Sequence, residues 1–198
     1  MSKVSLNDIQ TLRTMTGLGM LDCKKALEEA SGDVDKAIEI LRKRGVALAG
    51  KRAGKETTQG LVYAYIHPGD QTGVLVELNC ETDFVARTPA LKDFAKDVAM
   101  HIAATKPLYL SPDEVQQSYL DKEREIAIAQ LKELGKPANM IDKIVEGKMS
   151  KICNDISLLK QPFVKNDQKT IEDIVQELSA KTGENVKIKR FCRFVVGE

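Results

Sequence analysis

Residues 74–87 read VLVELNCETDFVAR. In the first eight positions apolar side chains alternate with mostly polar ones, and this period of two is typical of a β-strand with one buried face. The alternation ends at residues 82–85. Thr88 is then followed by a proline, which predicts the capped start of a helix. The stretch therefore predicts a strand, a turn that places Phe84 outside the regular sheet, and a helix.

Phe84 and Asp83 are the main functional candidates in this turn. An exposed aromatic ring on a rigid turn provides a large contact area at low entropic cost, and a neighbouring carboxylate can fix the register of a partner. This combination is typical of an anchor for another protein. From the spacing alone, packing of Phe84 back onto its own helix is the alternative.

Upstream of this strand, the sequence predicts a hairpin partner and a small helical domain. Leu61–Ile66 is a second strand, and the five residues that follow it favour a turn. Residues 1–45 contain three short helical patterns separated by glycines, which predicts a three-helix docking module. Residues 46–56 are predicted to be a basic linker, because Arg42–Lys55 has six basic residues, no acidic residue and many small ones. This basic segment is either simply a solvated linker or a surface that attracts an acidic partner electrostatically.

Downstream, residues 57–198 are predicted to form an α+β core and dimerisation domain. Ser111–Glu114 predicts a capped helix start, and two long helical patterns separated by a tight break predict a projecting antiparallel hairpin over residues 112–160. Thr170–Asp173 predicts a capping box, and residues 186–196 a last strand. The predicted fold class is α+β: a three-helix module, a linker, and a small antiparallel sheet with packed helices.

The composition indicates a near-neutral chain with enough apolar residues for a packed core. Its 198 residues include 30 basic and 29 acidic side chains, for a net charge of +1, and 42% are hydrophobic. This charge disfavours a dedicated nucleic-acid binder, and the apolar content disfavours a disordered protein. No apolar run approaches the ~20 residues that span a bilayer. The N-terminal sequence also lacks the pattern of a signal or transit peptide, so we expect a cytoplasmic protein without membrane contact.

The cysteines and histidines form no recognisable metal or catalytic pattern. They are Cys23, Cys80, Cys153, Cys192, His67 and His101. Because no C-x-x-C pair occurs, a zinc site is not expected, and scattered cysteines are most often reduced hydrophobic residues. Spacing leaves a Cys/His catalytic pair open, but nothing specifies a nucleophile and its base. We therefore expect a protein that is not an enzyme and has no catalytic residues.

Two segments resemble the signatures of a known family. Residues 12–20, LRTMTGLGM, with a continuation to Leu27, form the first, and residues 77–85, ELNCETDFV, form the second. Further similarity extends to residues 193–198, RFVVGE. The chain therefore resembles, over essentially its whole length, the elongation factor Ts family, the nucleotide-exchange factors of bacterial translation elongation.

The resemblance implies that two surfaces bind elongation factor Tu. It implies a ubiquitin-associated-like fold for the three-helix module, which would dock on the G domain of Tu. The matching module residues are Arg13, Thr16, Gly17, Gly19 and Met20. The turn would insert into the same domain, with Phe84 as a wedge that disturbs the Mg²⁺ and phosphate site. The matching turn residues are Thr82, Asp83, Phe84 and Val85.

Two of these assignments have alternatives at the level of sequence. Met20 is either a contact residue exposed by the glycine turn or a core residue at a helix start. His101 matches a family histidine near the partner contact, and its alternative is a half-buried histidine beside Val98 and Ile102.

The implied activity needs no cofactor on this chain. A factor that binds nucleotide-free Tu more tightly than Tu·GDP weakens GDP binding by the same factor, so GDP leaves and GTP binds. No G-x-x-x-x-G-K-[ST] motif occurs, so we expect no direct nucleotide or metal binding. The alternative function is a protein-interaction adaptor without exchange activity.

The chain departs from long family members, which carry two related halves in the core. Only one reduced core is present, and it would leave a small sheet with an open edge. Pairing with a second copy of the chain would cover that edge. We therefore expect a homodimer with the C-terminal strand near the interface. Cys192 lies on the apolar side of that strand, but a reducing cytoplasm disfavours an intersubunit disulfide.

Overall fold

The computed structural model describes residues 4–198. Residues 1–3 of the predicted module lie outside this description, as do the side chains of residues 46, 48 and 49. The helices and strands of the described residues are, in chain order, α1 (Leu6–Thr16), α2 (Met20–Glu29), α3 (Val34–Arg52), β1 (Gln59–Ile66), β2 (Thr72–Cys80), α4 (Asp83–Ala86), α5 (Pro89–Thr105), α6 (Gln117–Glu133), α7 (Ala138–Ile156), β3 (Pro162–Phe163), β4 (Asn166–Thr170), α8 (Ile171–Thr182) and β5 (Lys187–Val195). In this part of the chain, no helix is both long and apolar enough to cross a lipid bilayer.

The main sheet has the strand order β1-β2-β5. β1 and β2 form the predicted hairpin. β5 runs antiparallel to β2, because Arg190 pairs with Glu77 and the N–H of Val196 donates to Gln71 O at 3.0 Å. The alternation predicted for β2 is confirmed: the residues of its inward face are buried, namely Val74, Val76, Leu78 and Cys80. The α+β class is therefore confirmed.

The chain divides into two compact units. Among the described residues, the first unit comprises the chain up to Leu61, Leu78–Lys92 and Ile174–Lys187. The second unit comprises Val62–Glu77, Asp93–Asp173 and Ile188–Glu198. The predicted boundaries at residues 45 and 56 differ from this division, because each unit is assembled from segments that are distant in sequence.

The three N-terminal helices lie in the first unit and share a small core. Ser5 and Asp8 form a reciprocal capping box at the start of α1. The buried residues of the cluster come from all three helices and are Ile9, Leu12, Cys23, Ala26, Leu27, Ala30, Ala37 and Leu41. The predicted helices are therefore present.

The predicted linker is largely helical. α3 continues to Arg52, so most of residues 46–56 extends the third helix. Gly45, one of the small residues on which the linker prediction rested, permits close helix packing: a Cβ at this position would lie 3.0 Å from Cβ of Ala180 on α8. A mid-helix glycine costs about 1 kcal/mol, which tertiary packing can offset. The composition alone did not reveal this contact.

The helical hairpin of the second unit consists of α6 and α7, with its own buried cluster. The cluster consists of Ala127, Leu131, Ile141, Val145 and Met149. The helix start predicted at Ser111 is wrong, because Pro112–Glu114 forms only one 3-10 turn and Val115 has an extended backbone. α6 begins at Gln117 instead.

The start of α8 follows the prediction. The N–H of Thr170 donates to Asp173 Oδ2 at 2.8 Å, and the N–H of Asp173 donates to Thr170 Oγ at 3.2 Å, which completes the predicted capping box. The short antiparallel pair of β3 and β4 was not predicted. Its strands are brief and largely polar, so they carry no regular hydrophobic period.

Candidate functional site

Residues 82–85 form the start of a capped single helical turn. Thr82 has an extended backbone, and its Oγ accepts the N–H of Val85 at 3.4 Å, so it acts as the N-cap of α4. Thr88 then joins this turn to α5: its hydroxyl donates to Val85 O at 2.8 Å and accepts the N–H of Leu91 at 3.3 Å. These local bonds define the backbone that carries Phe84.

Phe84 is 80% exposed, whereas the two residues after it, Val85 and Ala86, are buried. In a single helical turn these side chains point in different directions, so the burial of Val85 and Ala86 directs Phe84 outward. The alternative of packing back onto its own helix is therefore not what the structure shows. A large ring left in water forgoes about 1.5–3 kcal/mol of burial energy, which a partner could recover.

Asp83 lies beside this ring and remains half-exposed. It forms an ion pair with Arg87 at 3.0 Å, and the Arg87 side chain is almost fully exposed. Exposed ion pairs of this kind contribute about 0–1 kcal/mol, so a partner could replace the pair at little cost. Asp83 is thus available as the polar companion of Phe84.

The backbone before the turn is held by two residues that the sequence analysis missed. The Glu184 carboxylate accepts the N–H groups of Glu81 and Thr82 at 3.1 and 3.0 Å and the Thr82 hydroxyl at 2.6 Å. The N–H of Asn185 donates to Glu81 Oε1 at 2.6 Å. Both residues follow the glycine that ends α8, and no local sequence signal connects them to residues 81 and 82.

The charge of Glu81 is well stabilised. Its carboxylate accepts the Asn185 N–H and a two-pronged contact from Arg52, with distances of 2.9 and 2.8 Å from Nη1 to its two oxygens. The Asn185 N–H bond, followed by the Arg52 contact, lowers the pKa of Glu81 below its usual 4.5. Glu81 is therefore a fixed acceptor and not a proton donor near neutral pH.

Cys80, the other reactive side chain near the turn, is buried. Its Sγ donates to Thr82 O at 3.1 Å. Burial raises the pKa of the Cys80 thiol above its usual 9.0, and the Glu184 carboxylate adds to the effect. The thiol is therefore protonated at neutral pH and lacks the properties of a nucleophile. All four cysteines, including Cys192, are free thiols.

The turn between α1 and α2 displays the module residues Arg13, Gly17, Gly19 and Met20 on the surface, with Thr16 half-buried. Gly17 ends α1 in the left-handed conformation, with φ of +69°, and its N–H donates to Arg13 O at 2.7 Å. Gly19 precedes α2 as an extended N-cap. This glycine geometry turns the chain abruptly and leaves both helix ends accessible.

Met20 is 39% exposed and begins α2, so it is not a buried core residue, and the contact alternative stays a prediction. Two apolar neighbours in sequence, Met15 and Leu21, are also exposed. Methionine side chains adapt to irregular surfaces, which suits a protein contact. The module turn and the Phe84 turn both belong to the first unit.

His101, by contrast, lies in the second unit and has no exposed surface. The N–H of Val164 donates to its Nδ1 at 3.3 Å, which assigns the ring proton to Nε2, and Nε2 then donates to Gln161 Oε1 at 3.0 Å. Burial lowers the pKa of His101 below its usual 6.5. The structure therefore gives it an internal packing position, and the expected direct contact with a partner would require rearrangement.

The described residues contain no group of three or more His, Cys, Asp or Glu side chains that could hold a metal ion. The site around Phe84 consists of an aromatic ring, a carboxylate and a backbone fixed by hydrogen bonds.

Comparison with known proteins gives one family for the chain. The family described as "Elongation factor TS" matches residues 4–198. "Elongation factor Ts" of Carboxydothermus hydrogenoformans is 55% identical over 190 residues, covering 96% of this chain and 88% of that protein. The protein of the same name from Desulfosudis oleivorans is 49% identical over 198 residues and 100% of both chains. That from Thermotoga petrophila is 50% identical over 196 residues, 99% of this chain and 98% of the relative.

Proposed function

The chain belongs to the elongation factor Ts family, and we propose that it promotes GDP release from elongation factor Tu by inserting Phe84 into the G domain. Factors of this family act in translation elongation through nucleotide exchange on Tu. The observation that carries the assignment to this site is the 80% exposure of Phe84 on a capped turn whose next two residues are buried. Asp83 would fix the register, with Thr82 and Val85 shaping the turn.

The proposed mechanism is differential binding without a covalent step. If the chain binds nucleotide-free Tu more tightly than Tu·GDP, thermodynamic reciprocity requires that it weaken GDP binding equally. Displacing groups that hold Mg²⁺ would remove the main positive charge from the diphosphate and speed its departure. The proposed role needs no nucleotide, metal or cofactor on this chain, and it would operate in the cytoplasm.

We assign initial docking to the turn between α1 and α2. The exposure of Arg13 and Met20, together with the sharp glycine turn, supports a contact with the G domain. A separate docking surface would hold the partner while Phe84 acts. Docking would then mainly determine affinity, and the Phe84 turn would mainly determine the rate of GDP release.

The direct test measures release of labelled GDP from Tu with and without this protein. Acceleration at catalytic amounts of the protein, in the presence of excess GTP, is expected. Binding to Tu without acceleration would contradict the proposal and favour an adaptor function. Absence of binding would contradict both.

We also propose that the chain forms a homodimer through the outer face of the main sheet. Within the second unit, this face exposes Val62, Ile66, Leu75, Phe194 and Val196. Four of these side chains, all but Val62, line one open groove. Contiguous exposed apolar surface of this kind is typical of an interface, and a second copy would bring an identical face. Sedimentation that shows a monomer at micromolar concentration would contradict this proposal.

A further inference from the structure

We propose that Glu184, Glu81 and Arg52 are positioning residues for exchange, because together they hold the backbone from which Phe84 projects. The inference rests on the proposed function and deepens it. The proposed function names Phe84 as the inserted side chain, and the inference names the residues that hold its backbone in place. We call these three residues and Asn185 the turn clamp.

Glu184 fixes the chain immediately before the wedge. Its two carboxylate oxygens accept three hydrogen bonds from residues 81 and 82, and the shortest, to the Thr82 hydroxyl, is 2.6 Å. Thr82 is also the N-cap of the turn. Hydrogen bonds to a carboxylate are about twice as strong as neutral ones. Glu184 therefore restrains the cap that orients α4.

Glu81 makes the reciprocal connection. It accepts the Asn185 N–H at 2.6 Å, so residues 81 and 184–185 are joined in both directions. Such reciprocal bonding restrains rotation as well as separation. It leaves Val85 and Ala86 to fix the inner side of the turn, while the clamp fixes the backbone on the N-terminal side of Phe84.

The clamp also reaches the end of α3. Arg52 contacts both carboxylate oxygens of Glu81 at 2.8 and 2.9 Å. The Asn185 amide adds bonds to Ala53 O and Lys55 O at 3.2 and 2.9 Å. The end of α3 is therefore tied to Glu81, three residues before Phe84. This connection would allow docking to deliver Phe84 in a preset orientation, which reduces the entropic cost of insertion.

The primary test is Glu184→Ala in a steady-state exchange assay with Tu·GDP as the varied substrate. Loss of three bonds should loosen the wedge and lower kcat by about tenfold, equivalent to about 1.4 kcal/mol, while KM changes by less than about twofold. The control is Glu172→Ala, which removes an ion pair between Lys160 and the first turn of α8 and should leave both constants unchanged. A rise in KM with unchanged kcat would overturn the positioning role.

A double-variant cycle separates positioning from general stability. Because the clamp acts through the wedge, Glu184→Ala should slow exchange by less than about twofold when Phe84 is already alanine. If Glu184→Ala slows exchange by the same factor in the wild type and in Phe84→Ala, the inference is overturned. Glu184→Gln retains the shape and an acceptor oxygen, and it should recover at least about half of the lost kcat.

Arg52→Met provides a milder variant if Glu184→Ala unfolds. Methionine keeps an unbranched apolar stem but has no N–H to donate to the Glu81 carboxylate, so kcat should fall by a few fold with little change in unfolding temperature. An unchanged kcat would remove Arg52 from the clamp. If the wild-type protein itself fails to release GDP, the proposed function is contradicted. If the wild type is active and every clamp variant is equally active, only the clamp is contradicted.

Discussion

Two exposed phenylalanines present contrasting surfaces. Phe84 is 80% exposed and stands on a short capped turn, with buried residues after it and carboxylate-bonded backbone before it. Phe194 is 69% exposed and lies on β5, among apolar side chains of the same sheet face. One ring stands alone on a restrained backbone, and the other is part of a broad apolar surface.

The contrast shows that exposure alone does not define a function. A single restrained aromatic suits insertion into a preformed pocket, where orientation decides the outcome. A contiguous apolar face suits association with a matching face, where buried area decides the outcome. We therefore expect substitutions at the two positions to affect different measurements.

The largest expected effect concerns the sheet face. Phe194→Asp would place a carboxylate in each half of the proposed interface and remove two aromatic contacts. The dimer dissociation constant should rise by on the order of 100-fold or more, measured by sedimentation. Leu134→Asp, which alters an exposed apolar residue outside the sheet, serves as the control. A dimer of unchanged affinity in Phe194→Asp would contradict the assigned face.

The second effect concerns the wedge. Phe84→Ala should slow GDP release by on the order of 30-fold if the ring contributes about 2 kcal/mol. Its unfolding temperature should change little, because an exposed ring contributes little to stability. Phe194→Ala, assayed where it remains the same oligomer as the wild type, should keep its exchange rate. Equal losses in both variants would remove the distinction between the two rings.

A smaller effect is expected in the docking module. Met20→Ala should raise KM for Tu·GDP by about fivefold, since truncation of one partly exposed side chain costs about 1 kcal/mol. The maximal rate should stay close to that of the wild type. Leu134→Ala, another exposed apolar truncation, is the matched control. A loss of kcat without a change in KM would move Met20 from docking to the exchange step.

The smallest effect tests whether His101 is internal in solution. Because burial lowers its pKa below 6.5, the unfolded chain binds the proton more readily than the folded protein. The contribution of the neutral, buried His101 to the free energy of unfolding is therefore fully present above about pH 6.5. It is lost as the pH falls from that value toward the lower pKa of the folded protein. The unfolding temperature should drop between about pH 7 and about pH 5.5 in the wild type.

His101→Gln is the variant for this measurement. Without a titrating ring, it should lose less stability over the same pH interval. Glu81 does not interfere, because its contribution disappears only below its usual pKa of 4.5. Identical pH profiles for the two proteins would show that His101 does not titrate in a buried position.

Local chemistry in the sequence predicted much of the fold. The alternation over β2, the Thr88 cap and the Thr170–Asp173 box all act between residues that are close in the chain. Such signals depend on side-chain period and nearby hydrogen bonds, so they can be identified without tertiary structure. The same reasoning failed at Ser111, where an extended Val115 interrupts the helix.

The candidate site was predictable only in part. The sequence identified Phe84 and Asp83, but its spacing left open whether the ring packed inward. The burial of Val85 and Ala86 decided its direction. Glu184 could not be identified, because it lies 102 residues from Thr82 and is brought there by the return of the chain after α8.

The sequence by itself determined most of the local elements and the glycine turn of the module, because each depends on neighbouring residues. Tertiary structure decided that α3 extends to Arg52, that His101 is internal, and that Phe194 is exposed. These properties depend on segments that meet only after folding. Their energies come from packing and desolvation, which no local sequence pattern contains.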